Sequence, residues 1–445
     1  MNNSEHHLHA PRQSSTSTAK TTMKNFNAVF GIIFLWLAKS TTDAFARHVT
    51  KRKSVPKSHP KPFLQLIQAA YTPHDLLKNI GQHLNTSNDH EGKVASLVLV
   101  RLSKMLITID NSQFEPHLNA TREAKQSYTF GKDDVSVIGH ICQVLSTSIQ
   151  NIDSNDGQIV DTLVDGVKAA AVLSRILHRS SIIKSQICDT TIINLVTSCR
   201  SFDPKMLGPH HLSGLVWSFN CFEHQCANVI VPERIVVSYR DLKLPFRVRP
   251  GFLVRHTTSI ERNKQFDLTL ENIKSQVDFS AEEIRTSNGV VVRERRQTAW
   301  EGEESVPGFA YSGKVMETKP FSPVVRSVRD TLSDEMGSHY DCCLLNLYPD
   351  GDSGMRYHID PDQGEAWGYD TCVVSVGATR RFSFRDIPGK DSTMKSQPHN
   401  FVVMDGDVTH MFDRCQFEFQ HAVKTSEDKG EKASRSSLVF KQYRK

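Results

Sequence analysis

The sequence predicts an α+β protein in which an all-α region of helical hairpins precedes a double-stranded β-helix, or jelly-roll. Three observations carry that expectation. Apolar residues recur at helical spacing from about Phe63 to Phe222. β-Branched and basic residues take over between Val229 and Phe252, as in Ile235-Val-Val and Phe246-Arg-Val-Arg249. Beyond that junction, short strand-like runs are bounded by Gly, Asp and Pro. At 445 residues the chain has room for two domains. We divide it into a targeting region (1–62), a helical domain of repeat character (63–225) and a β-rich domain (230–445).

The N-terminal region reads as an address. Phe26 to Ala38 is an apolar run preceded by Lys24 and followed by the small-residue pattern Thr42-Asp-Ala44. It is short for a membrane span and suits a signal-peptide core. The 22 residues before Met23 are unusual for such a signal, and a start at Met23 is the alternative. Phe45 then leads into Arg47 to Lys61, a basic stretch with no acidic residue. This order resembles the bipartite plastid targeting of algae with secondary plastids. It implies plastid import with no stable membrane association after processing; nucleus and mitochondrion are the other destinations weighed.

The helical region starts cleanly. Thr72-Pro-His-Asp75 offers an N-cap and a proline at the first helical position. Leu76, Leu77, Ile80 and Leu84 follow on one face, then Val94, Leu97, Val98, Leu102 and Met105. Similar patterns run through Val135–Ile149, Ile159–Leu177, Ile183–Cys199 and Leu212–Phe222, separated by polar turns such as Asp153 to Gly157. Stacked helical hairpins are expected. Leu212 to Phe219 resembles the helical repeats of organellar RNA-binding proteins, which would imply an RNA-binding array; a packing or protein-interaction domain is the competing reading. Trp217 and Phe219 are read as core.

Composition sets few limits. Net charge is +5 with histidines neutral, which permits nucleic-acid binding without requiring it. Nine cysteines without any Cys-x-x-Cys spacing suggest neither a zinc site nor a disulfide framework.

The chemistry lies in the last hundred residues. His358-Ile-Asp360 followed by His421 is the ligand set of a non-haem Fe(II) oxygenase, a facial triad that leaves three metal positions open. On an extended strand His358 and Asp360 share a face, with Ile359 turned away into the packing, and His421 must come from a neighbouring strand. Asn346 and Tyr348 alternate likewise and can face one cavity. Arg435 offers the planar two-pronged cation that suits a carboxylate.

From Val292 onward the chain resembles the AlkB homologues, Fe(II)/2-oxoglutarate dioxygenases that demethylate nucleic-acid bases. The blocks carrying this are Arg295 to Trp300, Phe309 to Ser312, Leu344 to Tyr348, His358 to Asp360, Ser375 to Arg380, Met404 to Gly406, Phe419 to His421 and Arg435 to Phe440. The resemblance implies the jelly-roll fold, Fe(II) on His358, Asp360 and His421, and O₂ as oxidant. It places 2-oxoglutarate on Asn346, Tyr348, Arg435 and, in place of a second family arginine, Lys441. Lysine keeps the charge but not the bidentate geometry. It further implies DNA or RNA with alkylated bases as partner, the base being rotated out of the stack. Tyr311, Phe309 and Trp300 are the candidate aromatic floor, and Arg296 and Arg380 the candidate phosphate contacts, with Arg293, Arg295, Arg381 and Arg385 beside them. Asp362 is the candidate reader of the exocyclic amine. The expected outcome is oxidative demethylation with release of formaldehyde and succinate. The rivals are a protein hydroxylase or demethylase, and a helical RNA-binding protein with an inactive oxygenase domain. Oligomeric state is not legible.

Overall fold

The computed structural model describes residues 61–81, 89–115, 130–152, 157–179, 187–252, 268–281, 283–285, 288–311, 314–387 and 397–444. The targeting reading of 1–62 lies almost wholly outside them. Helices come first: Lys61–Ala69, Pro73–Gly81, Asp89–Asn111, Lys132–Gln150, Gly157–Arg179, Asp189–Ser198, Pro209–Glu223 and Glu233–Asp241. Thr72 caps the second as its spacing predicts, its hydroxyl accepting from the Asp75 amide at 3.1 Å. One expectation of composition fails locally: Ile235-Val-Val lies within a helix, where Ile235 is fully buried. Packing overrides β-propensity there.

The strands are β1 (Phe246–Arg249), β2 (Glu283–Arg285), β3 (Val291–Arg293), β4 (Gln297–Gly302), β5 (Phe309–Tyr311), β6 (Lys314–Met316), β7 (Cys342–Tyr348), β8 (Met355–His358), β9 (Trp367–Gly377), β10 (Arg380–Asp386), β11 (His399–Val403), β12 (Val408–Met411), β13 (Phe419–Val423) and β14 (Arg435–Tyr443). Six form a major sheet in the order β1-β12-β9-β14-β7-β4, and four a minor sheet, β11-β10-β13-β8. Neighbouring strands in both sheets pair antiparallel.

Alternation along the strands of the major sheet separates its two faces. Leu345, Leu347, Val374, Val376, Leu438 and Phe440 point to the outer face, into a core with Val325, Val328 and Leu332 of the helix Pro323–Met336. The inner face belongs to a second core, in which Tyr348, Val373 and Val439 meet Phe382, Phe384 and Phe401 of the minor sheet. Phe246 stacks on Phe384 at 3.9 Å between ring centroids, which ties the two sheets together.

The N-terminal helices belong to that same core, and the described residues from Lys61 onward form one compact unit. Trp217 and Phe219 are buried, Trp217 edge-on to Phe401 of β11 at 6.4 Å. Arg175, on the helix Gly157–Arg179, makes a bidentate ion pair with Asp407 at 2.9 and 2.5 Å, both side chains buried. Asp407 also accepts from the amides of Gly251 and Met404. Asn111, ending the Asp89–Asn111 helix, clasps the β9–β10 turn: its amide exchanges bonds with Thr379 and donates to Glu431.

Candidate active site

The minor sheet sets the first two ligands. In the antiparallel pair β13–β8, His421 lies directly opposite His358, and the ring centroids are 4.2 Å apart. Asp360 is not on the strand as expected; it lies two residues past the end of β8, and Ile359 is half exposed rather than packed. The chain has turned out of the pleat, so the i, i+2 rule is not what aligns the pair. The convergence holds all the same. Asp360 Oδ1 is 3.5 Å from His358 Nε2 and 3.6 Å from His421 Nε2, and the three ligand atoms lie within 4.8 Å of one another. One ion at about 2.0–2.2 Å can reach all three.

The surroundings orient these atoms. His358 Nδ1 is 2.9 Å from the Arg356 carbonyl, which holds that proton on Nδ1 and turns the Nε2 lone pair to the centre. Burial, helped by His358, pushes His421 down to about 3, so its imidazole is neutral and able to ligate at neutral pH. Burial works against ionisation of Asp360, but Lys441 and the two imidazoles outweigh it and hold the carboxyl well below the usual range. Lys441 Nζ donates to Asp360 Oδ2 at 2.6 Å, and Gln416 exchanges bonds with the Asp360 amide and carboxylate at 3.0 and 3.4 Å. Oδ2 is engaged and Oδ1 is left for a metal. Lys441 is thus a partner of the Asp360 carboxylate in this structure, and not the co-substrate cation expected from the sequence. Gln416 was missed, because nothing in its sequence neighbourhood distinguishes it.

A second group of polar side chains crosses the inner face of the major sheet. Register places Thr298 opposite Asn346, Asn346 opposite Ser437, and Ser437 opposite Ser375, one row over four strands. All four are buried. In the next row Tyr348 and Gly377 flank Arg435. Gly377 has φ of +89°, and a Cβ there would sit 2.8 Å from the Ser434 carbonyl, so only glycine fits beside the arginine. Arg435 is fully buried and burial lowers it to about 10. Its Nη2 donates to Ser375 at 2.9 Å, while Nε and Nη1 have no hydrogen-bond partner among the described residues. A buried guanidinium with two unspent donors fits an absent carboxylate. Thr298, Ser375 and Ser437 were missed as site residues, although the alternation of β14 from Arg435 could have found Ser437.

The substrate-side residues divide. Tyr311 is half-buried near this row, its hydroxyl 3.0 Å from Glu294 and 3.2 Å from Thr298, with Arg296 over its ring. Arg296 is paired with Glu294 and donates to Asn346 at 2.8 Å, so it supports the inner wall instead of meeting solvent-borne phosphate. Arg380 is corrected more firmly: it is buried, paired with Glu431 at 2.8 Å, and bonded to the Thr379 and Ala433 carbonyls. Trp300 and Phe309 stack at 4.7 Å and are buried with Trp367, which makes them core at the sheet edge and leaves no open face for a base. Asp362 is exposed in a left-handed turn, φ +55°, accepting from Glu365 and Trp367 through its carbonyl.

Comparison with known proteins agrees with this geometry. Residues 246–441 match the family model of the 2OG-Fe(II) oxygenase superfamily. The chain is 33% identical over 102 residues to the DNA oxidative demethylase ALKBH2 of Homo sapiens, covering 23% of this chain and 38% of that protein. It is 28% identical over 126 residues to the alpha-ketoglutarate-dependent dioxygenase alkB homolog 3 of Homo sapiens, covering 28% and 43%. Its C-terminal half belongs to the AlkB-like 2OG-Fe(II) oxygenases. The chain spans less than half the length of those two relatives. An uncharacterized protein of Acanthamoeba polyphaga mimivirus is 30% identical over 157 residues, 35% of this chain and 78% of that protein. As an AlkB-like dioxygenase the protein uses Fe(II), 2-oxoglutarate and O₂. The triad and the unspent donors of Arg435 suit the first two of these.

Proposed function

We propose that this AlkB-like protein oxidatively demethylates N-alkylated bases in DNA or RNA, releasing formaldehyde and succinate. The observation that carries the reading is Arg435: a fully buried cation, two donors unspent, beside a row of buried hydroxyl and amide groups on the same sheet face. Hydrophobic packing does not call for such a row, and a small dicarboxylate does. We read the two facing sheets as the walls of a double-stranded β-helix enclosing it.

In this reading His358, Asp360 and His421 hold Fe(II), which with 2-oxoglutarate and O₂ supplies the oxidation of an N-methyl group. The protein's own part is placement. Arg356 fixes the tautomer of His358, and Lys441 and Gln416 keep Asp360 single-pronged toward the centre. Arg435 takes the distal carboxylate, Tyr348 and Asn346 line the path, and Ser375 holds the guanidinium in register. Tyr311, braced by Glu294 and Thr298, supplies one face of the base pocket, and the partly exposed ring of His358 the other.

The human relative ALKBH2 is named a DNA oxidative demethylase, and that supports nucleic acid over protein as substrate. The test is a panel of DNA and RNA oligomers, each carrying one N-methylated base, assayed for formaldehyde beside methylated peptides. Formaldehyde from at least one oligomer and from no peptide is expected. Release from peptides alone would overturn the reading.

A further inference from the structure

A cavity of about 770 Å³, lined by none of His358, Asp360 and His421, lies where the helices Asp89–Asn111 and Gly157–Arg179 face β10, β11 and the segment after β13. That volume is in the range of small-molecule sites. Its charge is lopsided. Arg101, Lys104, Lys168, Arg380 and Arg381 line it, against Asp165, Glu427 and Asp428. Glu427 is shared by Lys104 and Arg381, Asp165 pairs with Lys168, and Arg380 pairs with Glu431. Arg101 has no ion pair among the described residues. Burial and repulsion from Arg381 and Arg101 both depress Lys104, the mark of cations crowded without enough counter-charge.

The unspent hydrogen-bonding groups on these residues are mostly donors. Trp217 is 2% exposed and Thr379 3%, yet Trp217 Nε1 and Thr379 Oγ1 have no partner among the described residues. The Nε atoms of Arg101 and Arg380 are likewise without one. Buried donors without acceptors are costly, and a ligand rich in acceptor oxygens relieves the cost. The remaining wall is apolar and aromatic, including Val172, Phe401 and the Trp217 ring.

We propose that this cavity is a second ligand site, for an organic phosphate of mononucleotide size, with the phosphate toward Arg101 and the body against Trp217. Guanidinium groups pair with phosphate oxygens in fork geometry, and the indole N–H needs an acceptor that inorganic phosphate alone cannot bring along the apolar wall. The site is independent of the catalytic reading, since no metal-triad or Arg435-row residue lines it.

Titration calorimetry of the full chain with AMP tests this, with inorganic phosphate run in parallel. One AMP per chain is expected, bound more tightly than phosphate. Arg101→Ala, at a partly exposed position, weakens AMP by about tenfold or more, and Trp217→Phe, which keeps the ring packing, weakens it as well. His358→Ala leaves AMP binding unchanged. No AMP binding, equal binding of AMP and phosphate, or AMP binding that survives Arg101→Ala and disappears in His358→Ala would each overturn the proposal. Thermal melts of both variants confirm that they are folded.

Discussion

At the scale of single residues, Lys441 and Arg435 occupy one strand face six positions apart but serve different partners. Lys441 touches Asp360, whereas Arg435 ends in unspent donors. Lys441→Ala is therefore expected to weaken Fe(II) binding by roughly ten- to a hundredfold, as loss of a group supporting a metal ligand does, with a smaller effect on the KM for 2-oxoglutarate. Arg435→Lys is expected to do the reverse, raising the 2-oxoglutarate KM by about tenfold or more because a point charge replaces a fork. Metal titration and initial-rate kinetics separate the two; the same change in both parameters for both variants would contradict the division. The convergence of His358, Asp360 and His421 was legible because His-x-Asp with a later His carries its chemistry in residue type. Trp300 and Arg380 were not, since an aromatic or an arginine has the same letter in a core, a buried ion pair or a substrate pocket. Only burial and the Glu431 partner decide.

At the scale of elements, antiparallel register does most of the positioning. His421 meets His358 across β13–β8, and four strands align Thr298, Asn346, Ser437 and Ser375. A one-residue slip of β14 would turn Arg435 to the outer face against the helix Pro323–Met336. The helix Gly157–Arg179 is locked to the major sheet by Arg175 and Asp407. Arg175→Ala leaves a buried carboxylate unpaired and is expected to destabilise the protein by about 3–5 kcal/mol, read as a lowered denaturation midpoint. An unchanged midpoint would show that the contact is not structural. The helix Pro73–Gly81 was legible from periodicity, the Thr72 cap and a proline at the first helical position, and Pro209–Glu223 from periodicity alone. Their docking partners were not, since Arg175 and Asp407 are separated by 232 positions and no local pattern links them.

At the scale of the molecule, helices and sheets share one core, and burial depresses His421 to about 3 and His399 to about 4 from 6.5. Both imidazoles stay neutral when folded and take up protons when unfolded. Their contribution is present above pH 6.5 and is lost as pH falls toward 4 and then 3. The Tm of the metal-free protein is thus expected to hold between pH 8 and 7 and to fall steadily below about 6.5. Calorimetry in a buffer series checks it, and a flat Tm down to pH 4.5 would contradict it. A single ferrous ion is expected to sit among His358, Asp360 and His421. An anaerobic Fe(II) titration of the metal-free wild type and of His358→Ala tests it most directly. One tightly held equivalent in the wild type and none in the variant is the predicted result; equal stoichiometry and affinity in both would contradict it.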